Sequence, residues 1–125
     1  MNNFSITGWD ENTIKEYDDK KLTQAKVTQI YSGLLEGHSE INYQMVYTAP
    51  DTASYIGTEH FQGRVNGKQG TLVFIHKGTF EQGRVNSQFE VVAKSGTEAL
   101  IGLQGTGHFT SGEGQSVEYF FDYSL

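Results

Sequence analysis

The sequence predicts an all-β fold, a closed eight-stranded antiparallel meander barrel. Apolar and polar residues alternate at period two along eight successive runs, as in strands that bury one face. Glycine makes up 15 of the 125 residues, above the usual ~7%, and it punctuates these runs instead of forming one linker. Most connections are short and none contains a convincing amphipathic helix. Consecutive strands are therefore expected to pair as a meander that closes on itself and hides its edges.

The alternating runs and the Gly, Asn, Asp and Ser clusters between them delimit the strands. We expect strands at residues 3–10, 22–34, 38–48, in the two arms of a hairpin at 55–78, and at 83–93, 99–109 and 117–125. The polar stretch DENTIKEYDDKK at 10–21 is predicted to be a loop. Pro50, in the segment APDT, suits the second position of a turn. A two-sheet sandwich is the alternative architecture.

Composition narrows the possible functions. The length fits a single domain over residues 1–125. The net charge of −6 and the scattered basic residues argue against a nucleic acid or an anionic membrane as partner. There is no cysteine, and the four histidines fall in separate runs, so we predict no metal site and no cofactor. No segment resembles a signal peptide or a membrane span, so a cytoplasmic location is expected.

The hairpin YIGTEHFQGRVNGKQGTLVFIHKG contains the candidate site. Its centre, Asn66-Gly67, tolerates the positive φ angles of a tight two-residue turn. Such a turn pairs Val65 with Lys68 and sets the register of both arms. One face of the hairpin then carries Tyr55, Gly57, Glu59, Phe61, Leu72, Phe74 and His76. This face is the more aromatic and lacks lysine, so we assign it to the barrel interior.

Glu59 and His76 are diagonal neighbours on this face, within reach of each other. A carboxylate in an apolar interior needs a compensating partner, and an imidazole is a suitable one. One interpretation makes Glu59 a general acid or base, or an anchor for a polar ligand, with His76 tuning it. An equally weighted interpretation is that the two merely satisfy each other in a core. The candidate ligand-binding residues are Glu59, Phe61, Phe74, His76, Tyr31 and Tyr123.

Five segments of the chain form an ordered set: YIGTEHFQG, NGKQG, LVFIHKG, SGTEALIGLQGTG and YFFDYSL. In order and spacing they resemble the small bacterial family described as domain of unknown function 3224, which has an allene-oxide-cyclase-like barrel. The resemblance covers nearly the whole chain, implies an eight-stranded closed barrel, and puts the family's acidic and histidine positions on Glu59 and His76. Glu98 stands where the family's SGTGEL-like segment has a glycine. No activity is implied, because a shared fold does not transfer chemistry.

Three functions fit these observations. The first is binding of an apolar or amphipathic small molecule inside the barrel, oriented by Glu59 and His76. The second is a cyclase- or isomerase-like enzyme that uses Glu59, although no sequence feature requires turnover. The third is a structural or interaction protein with a filled barrel. Apolar residues on the outward face, such as Val73, Ile75 and Phe120, predict a homo-oligomer in all three cases.

Overall fold

The computed structural model describes residues 1–111 and 116–125 and confirms the predicted fold class, an all-β ring of eight antiparallel strands. Each strand pairs with its neighbours in the chain, and the first pairs with the last. The strands are β1 (Asn3–Tyr17), β2 (Lys20–Ser32), β3 (Leu35–Ala49), β4 (Thr52–Val65), β5 (Lys68–Glu81), β6 (Arg84–Val91), β7 (Gln104–Ser111) and β8 (Ser116–Ser124). In the part of the chain described, no helix has the length and apolar character needed to cross a bilayer.

The predicted alternation is confirmed most clearly in β2 and β3. In β2, Ala25, Val27, Gln29 and Tyr31 are buried, and Lys26, Thr28 and Ile30 between them are exposed. In β3, Ile41 and Tyr43 are buried in the same way. Every second side chain therefore points into the barrel, and a slip of one residue would turn the whole apolar set outward. This requirement fixes the register along most of the ring.

The hairpin at the centre of the chain has the predicted two-residue turn. Asn66 and Gly67 have φ angles of 49° and 81°, the positive values that the right-handed twist of the two strands favours at such a turn. Val65 pairs with Lys68, which confirms the predicted register. The short loop APDT is also confirmed as a turn, because Pro50 lies between the end of β3 and the start of β4.

The prediction of a loop at residues 10–21 was wrong. β1 continues to Tyr17, and the turn is made by Asp18 and Asp19, whose φ angles are 44° and 63°. β1 pairs with β2 over its whole length, but its described pairs with β8 are confined to Asn3, Phe4 and Ser5. Beyond these residues the strand has little interior to cover. Its sequence therefore lacks the alternation that identifies a half-buried strand.

The prediction that the seventh strand begins at residue 99 was also wrong. Residues Glu98–Leu100 form a 3-10 turn, and β7 begins at Gln104. The turn places Leu100 and Leu103 in the barrel core, where both are buried. Hydrogen bonds between Thr97 and Thr71 hold the preceding segment along β5. These contacts make the segment a plug for one end of the barrel, which we call the plugged end.

The interior has two apolar parts. The larger lies toward the plugged end and includes Leu35, Phe61, Phe74 and Leu100. The smaller is formed mainly by β2, β3 and β4, with Tyr43 and Tyr55 among its members, and Phe80 packs against it. Glycines opposite large rings make room for them: a side chain at Gly57 would collide with the ring of Tyr43. Aromatic rings thus contribute to both parts.

We expect Glu98→Gly to raise the free energy of unfolding by about 1 kcal/mol. Glu98 has a φ of 54°, a left-handed conformation that costs an ordinary residue roughly this much and glycine almost nothing. Urea denaturation of the variant and the parent chain measures the difference. Glu98→Ala is the control, because it removes the side chain but keeps the Cβ. An equal gain in both variants would attribute the effect to the side chain and not to the backbone.

Candidate functional site

Glu59 and His76 meet in the barrel interior, as the shared face predicts. His76 lies opposite Gly57 on the neighbouring strand, and Glu59 lies opposite Phe74, so the two side chains are diagonal neighbours. His76 Nε2 lies 2.5 Å from Glu59 Oε1. The side chains are 1% and 0% exposed, respectively. The pair is therefore sealed from bulk water.

Two residues of β2 complete the surroundings of the carboxylate. The Tyr31 hydroxyl donates a hydrogen bond to Glu59 Oε2. Gln29 Nε2 donates to the Tyr31 oxygen at 2.7 Å and lies 3.4 Å from Glu59 Oε2. We call Gln29, Tyr31, Glu59 and His76 the Glu59 cluster. Donors from three side chains compensate for the water that the carboxylate loses on burial.

Tyr31 is among the residues predicted from the sequence, but Gln29 is not. Gln29 lies at an inward position of β2, two residues from both Val27 and Tyr31, and is 3% exposed. An amide in the inward phase of an otherwise apolar strand was the available signal. It pointed to a buried polar partner, but the sequence alone could not bring β2 next to the hairpin of β4 and β5.

Burial controls the protonation of the two tyrosines nearest to Glu59. Burial, reinforced by the negative charge of Glu59, raises the pKa of Tyr31 well above its ordinary value. The same two causes, in the same order, raise the pKa of Tyr43. Both phenols therefore keep their protons at neutral pH. Tyr31 acts as a hydrogen-bond donor to the carboxylate throughout the physiological range.

Aromatic rings hold the His76 imidazole in place. Its ring centroid lies 5.3 Å from that of Phe89 and 5.8 Å from that of Tyr43. Nε2 faces the carboxylate, which can only accept, so this nitrogen is the donor. The other nitrogen, Nδ1, is buried and has no hydrogen-bond partner within residues 1–111 and 116–125. The imidazole is thus fixed by one hydrogen bond and by packing.

The other predicted ligand-binding residues lie on the side of the plugged end. Phe61 and Phe74 are fully buried, and the ring of Phe61 packs edge-on against Tyr31. Tyr123 is half-buried near the end of β8 and stacks on Phe121, away from the Glu59 cluster. The structure therefore joins Glu59, His76 and Tyr31 in one network and leaves Tyr123 outside it.

A cavity of about 240 Å³ lies on the opposite side of the Glu59 cluster from the plug, and we call it the interior cavity. Its walls are mainly aromatic, including Trp9, Tyr43, Tyr47 and Tyr55. Gln29 also lines it and links it to the cluster. None of the six predicted ligand-binding residues is among those that line this cavity. A bound molecule would therefore contact Gln29 and Tyr43 before it reached Glu59.

Glu11 organises the rim of the interior cavity. Its carboxylate accepts hydrogen bonds from Thr23 at 2.6 Å, from Tyr47 at 3.0 Å and from Trp9 at 3.1 Å. Burial opposes ionisation, but these bonds lower the pKa of Glu11 below its usual value. Burial, with Glu11 adding to it, raises the pKa of Tyr47 to about 12. This rim was not predicted from the sequence, because Glu11 lies in the stretch that was expected to be a loop.

The chemistry open to the Glu59 cluster follows from these contacts. A carboxylate and an imidazole in direct hydrogen-bond contact can exchange a proton. Neither group lines the interior cavity, so their effect on a bound molecule would pass through Gln29 or Tyr43. No group of three or more His, Cys, Asp or Glu residues able to hold a metal ion occurs in the described ranges.

Comparison with known proteins identifies a matching family model and a similar solved structure. The model of DUF3224, proteins of unknown function, matches residues 1–123. A crystal structure of a protein of unknown function from the DUF3224 family of Shewanella oneidensis MR-1 is 24% identical in sequence and superposes with a TM-score of 0.75. The match covers 100% of this chain and 96% of that one, and it shows a common fold. The search of curated proteins found no match.

We expect the free energy of unfolding to fall as the pH rises above about 10, with Tyr31 supplying part of the slope. Its folded pKa is raised, so above the pKa of the unfolded phenol the folded state binds more protons than the unfolded state. The contribution of Tyr31 to the free energy of unfolding is therefore fully present below the pKa of the unfolded phenol and is lost progressively above it. Each such tyrosine contributes about 1.4 kcal/mol per pH unit.

Urea denaturation between about pH 9 and 11 measures this slope. Tyr31→Phe should make it shallower by the contribution of one group. Tyr17→Phe removes a hydroxyl from an exposed ring and is the matched control. Equal slopes for the parent chain and Tyr31→Phe would contradict the assignment of this proton to Tyr31.

Proposed function

The chain belongs to DUF3224, a family of unknown function, and from the geometry of its interior we propose that it binds a small apolar or amphipathic molecule in the interior cavity. The observation that carries the proposal is the contrast between the two parts of the barrel. Toward the plugged end, Phe61, Phe74 and Leu100 belong to one apolar cluster and are fully buried. Beyond the Glu59 cluster, a space of about 240 Å³ remains between aromatic walls.

A space of this size is unusual in a protein interior. Cores are normally packed as densely as organic crystals, and voids larger than a water molecule are few. This one is open at its rim, where Ile6 and Trp9 are 38% and 49% exposed, so its apolar walls contact water until a ligand covers them. Ligand sites have the same features as this cavity: a concave, mainly apolar wall with a few polar atoms. Binding therefore gives the cavity a physical reason to exist that a purely structural barrel lacks.

Glu59 has an indirect role in this proposal. Its carboxylate is fully surrounded by His76, Tyr31 and Gln29, and it does not line the cavity. A cyclase or isomerase would need a reacting group in contact with its substrate. The geometry accordingly favours binding, with Glu59 as a positioning residue for the cavity wall.

The predicted homo-oligomer is a separate question from the cavity. Ile75 and Phe120 lie on the barrel exterior and are 44% and 53% exposed. Val73 is half-buried, and its backbone bonds to Val92 and to the Ser95 side chain. Association through Ile75 and Phe120 stays a prediction, and it is independent of ligand binding.

We expect Val27→Phe to abolish binding by filling the interior cavity. Val27 lines the cavity and is 2% exposed, so a larger side chain at this position must enter the space. Titration with 2-naphthol, a neutral two-ring aromatic, followed through the fluorescence of Trp9, should show affinity at least about tenfold weaker than that of the parent chain, a loss of about 1.4 kcal/mol. Trp9 is a suitable reporter because it lines the same cavity and is the one tryptophan of the chain.

Ile56→Phe is the matched control. It adds a similar bulk on the exposed face of β4 and should leave 2-naphthol binding intact. Native mass spectrometry of the protein purified from its own host supplies an independent test, in which a retained small molecule is the expected result. The proposal fails if no molecule is retained and 2-naphthol binds the parent chain and Val27→Phe equally.

A further inference from the structure

We infer that the molecule bound in the interior cavity is uncharged, planar and about the size of indole, and that it donates a hydrogen bond to Gln29 Oε1. The inference rests on the proposed function and makes it more specific. Its starting point is a polar atom on the cavity wall whose orientation is decided inside the Glu59 cluster.

The Glu59 cluster fixes which end of the Gln29 amide faces the cavity. A carboxylate can only accept hydrogen bonds, so the Gln29 atom 3.4 Å from Glu59 Oε2 must be the nitrogen. The single proton of Tyr31 is used toward Glu59, so the Tyr31 oxygen must accept from its neighbour at 2.7 Å, which is the same nitrogen. Glu59, directly and through Tyr31, thus requires the NH₂ group on one side. The carbonyl oxygen, Oε1, necessarily points away from both.

Gln29 Oε1 is the atom of this amide that remains available to a molecule in the interior cavity. Gln29 lines the cavity, and its hydrogen bonds in the part of the chain described all use Nε2. A carbonyl oxygen can only accept, so a bound molecule that covers it must bring a donor or leave it unpaired. The hydroxyls of Tyr43 and Tyr55 on the same wall can rotate to donate or accept. They do not select between ligands as the Gln29 oxygen does.

The size of the cavity limits the size of the molecule. An apolar cavity of roughly 150 Å³ is enough to hold benzene, so about 240 Å³ suits a molecule of about ten non-hydrogen atoms. The flat rings of Trp9, Tyr43 and Phe80 form much of the wall and favour a planar shape. Indole and its close analogues have this size and shape.

Electrostatics argues for an uncharged molecule. The cavity lining contains no Lys, Arg or His among the described residues, and the carboxylate of Glu11 lies at its rim, so an anion has no partner. A cation would have to shed its water beside Glu11, whose carboxylate already accepts three hydrogen bonds, and without touching the buried Glu59. A neutral molecule with one N–H or O–H avoids both costs.

The test compares indole with benzofuran, which has the same shape but carries an oxygen in place of the N–H. Calorimetric titration of the intact protein should show indole binding about five- to tenfold more tightly, the effect of one hydrogen bond to a buried acceptor. In Gln29→Met, which has a side chain of similar length without the amide, the two compounds should bind about equally. 2-Naphthol serves as the reference for cavity binding in general.

The outcomes separate the inference from the proposed function. Equal affinities for indole and benzofuran in the parent chain, with 2-naphthol bound, overturn the inference and leave the proposed function standing. An indole preference that persists in Gln29→Met also overturns it, because a group other than Gln29 then accepts the hydrogen bond from the indole N–H. If none of the three compounds binds, the proposed function fails for molecules of this size and the inference fails with it.

A crystal of the parent chain soaked with indole keeps the inference testable if Gln29→Met does not fold. The indole nitrogen is expected within hydrogen-bond distance of Gln29 Oε1, about 3 Å. Indole seated in the interior cavity with its nitrogen directed elsewhere would overturn the assignment.

Discussion

A carboxylate buried in an apolar barrel must be surrounded by donors, and this requirement organises the middle of the molecule. Glu59 is fully buried, and its neighbours in space come from β2 and β5, the strands on either side of β3 and β4. Removing the solvent from an ionised group costs several kcal/mol unless hydrogen bonds replace it. The side chains of His76, Tyr31 and Gln29 provide them, and each is thereby held in one orientation. The conformation of the barrel wall on both sides of the cluster follows from these contacts.

The Glu59 cluster also divides the interior into a filled part and an open part. On one side, the 3-10 turn brings Leu100 into the same buried cluster as Phe61 and Phe74. On the other, β1 meets β8 in three described residue pairs and then continues beside β2 with little of its surface buried. The inward side chains Trp9 and Glu11 of this part of β1 form the rim of the interior cavity. The open part thus results from how the ring closes, and the Glu59 cluster marks its floor.

The sequence predicted the parts of this structure whose signals are local. Alternation located most strands, and the positive-φ turn at Asn66-Gly67 set the register that brings Glu59 next to His76. Two assignments were wrong: the mostly exposed second half of β1 looked like a loop, and the residues from 99 onward were assigned to the seventh strand although a 3-10 turn precedes it. Gln29 was missed for a different reason. Its role depends on a contact with Glu59 that spans 30 positions in the chain, and no local pattern encodes it.

A buried Glu and His that satisfy each other could be a core pair and nothing more, but the structure contains more than a pair. Buried polar clusters can often be replaced by apolar residues of similar volume without loss of stability, so stability alone does not account for this one. Two further residues connect Glu59 to the cavity wall, and the last of them, Gln29, has its amide nitrogen directed at Tyr31 and Glu59, which leaves its amide oxygen for the interior cavity. An isolated glutamine at this position could present either end of its amide. Because Gln29 contacts Tyr31 and Glu59 through its nitrogen, it presents only the acceptor oxygen to the cavity. This single fixed atom allows an otherwise apolar cavity to discriminate between ligands.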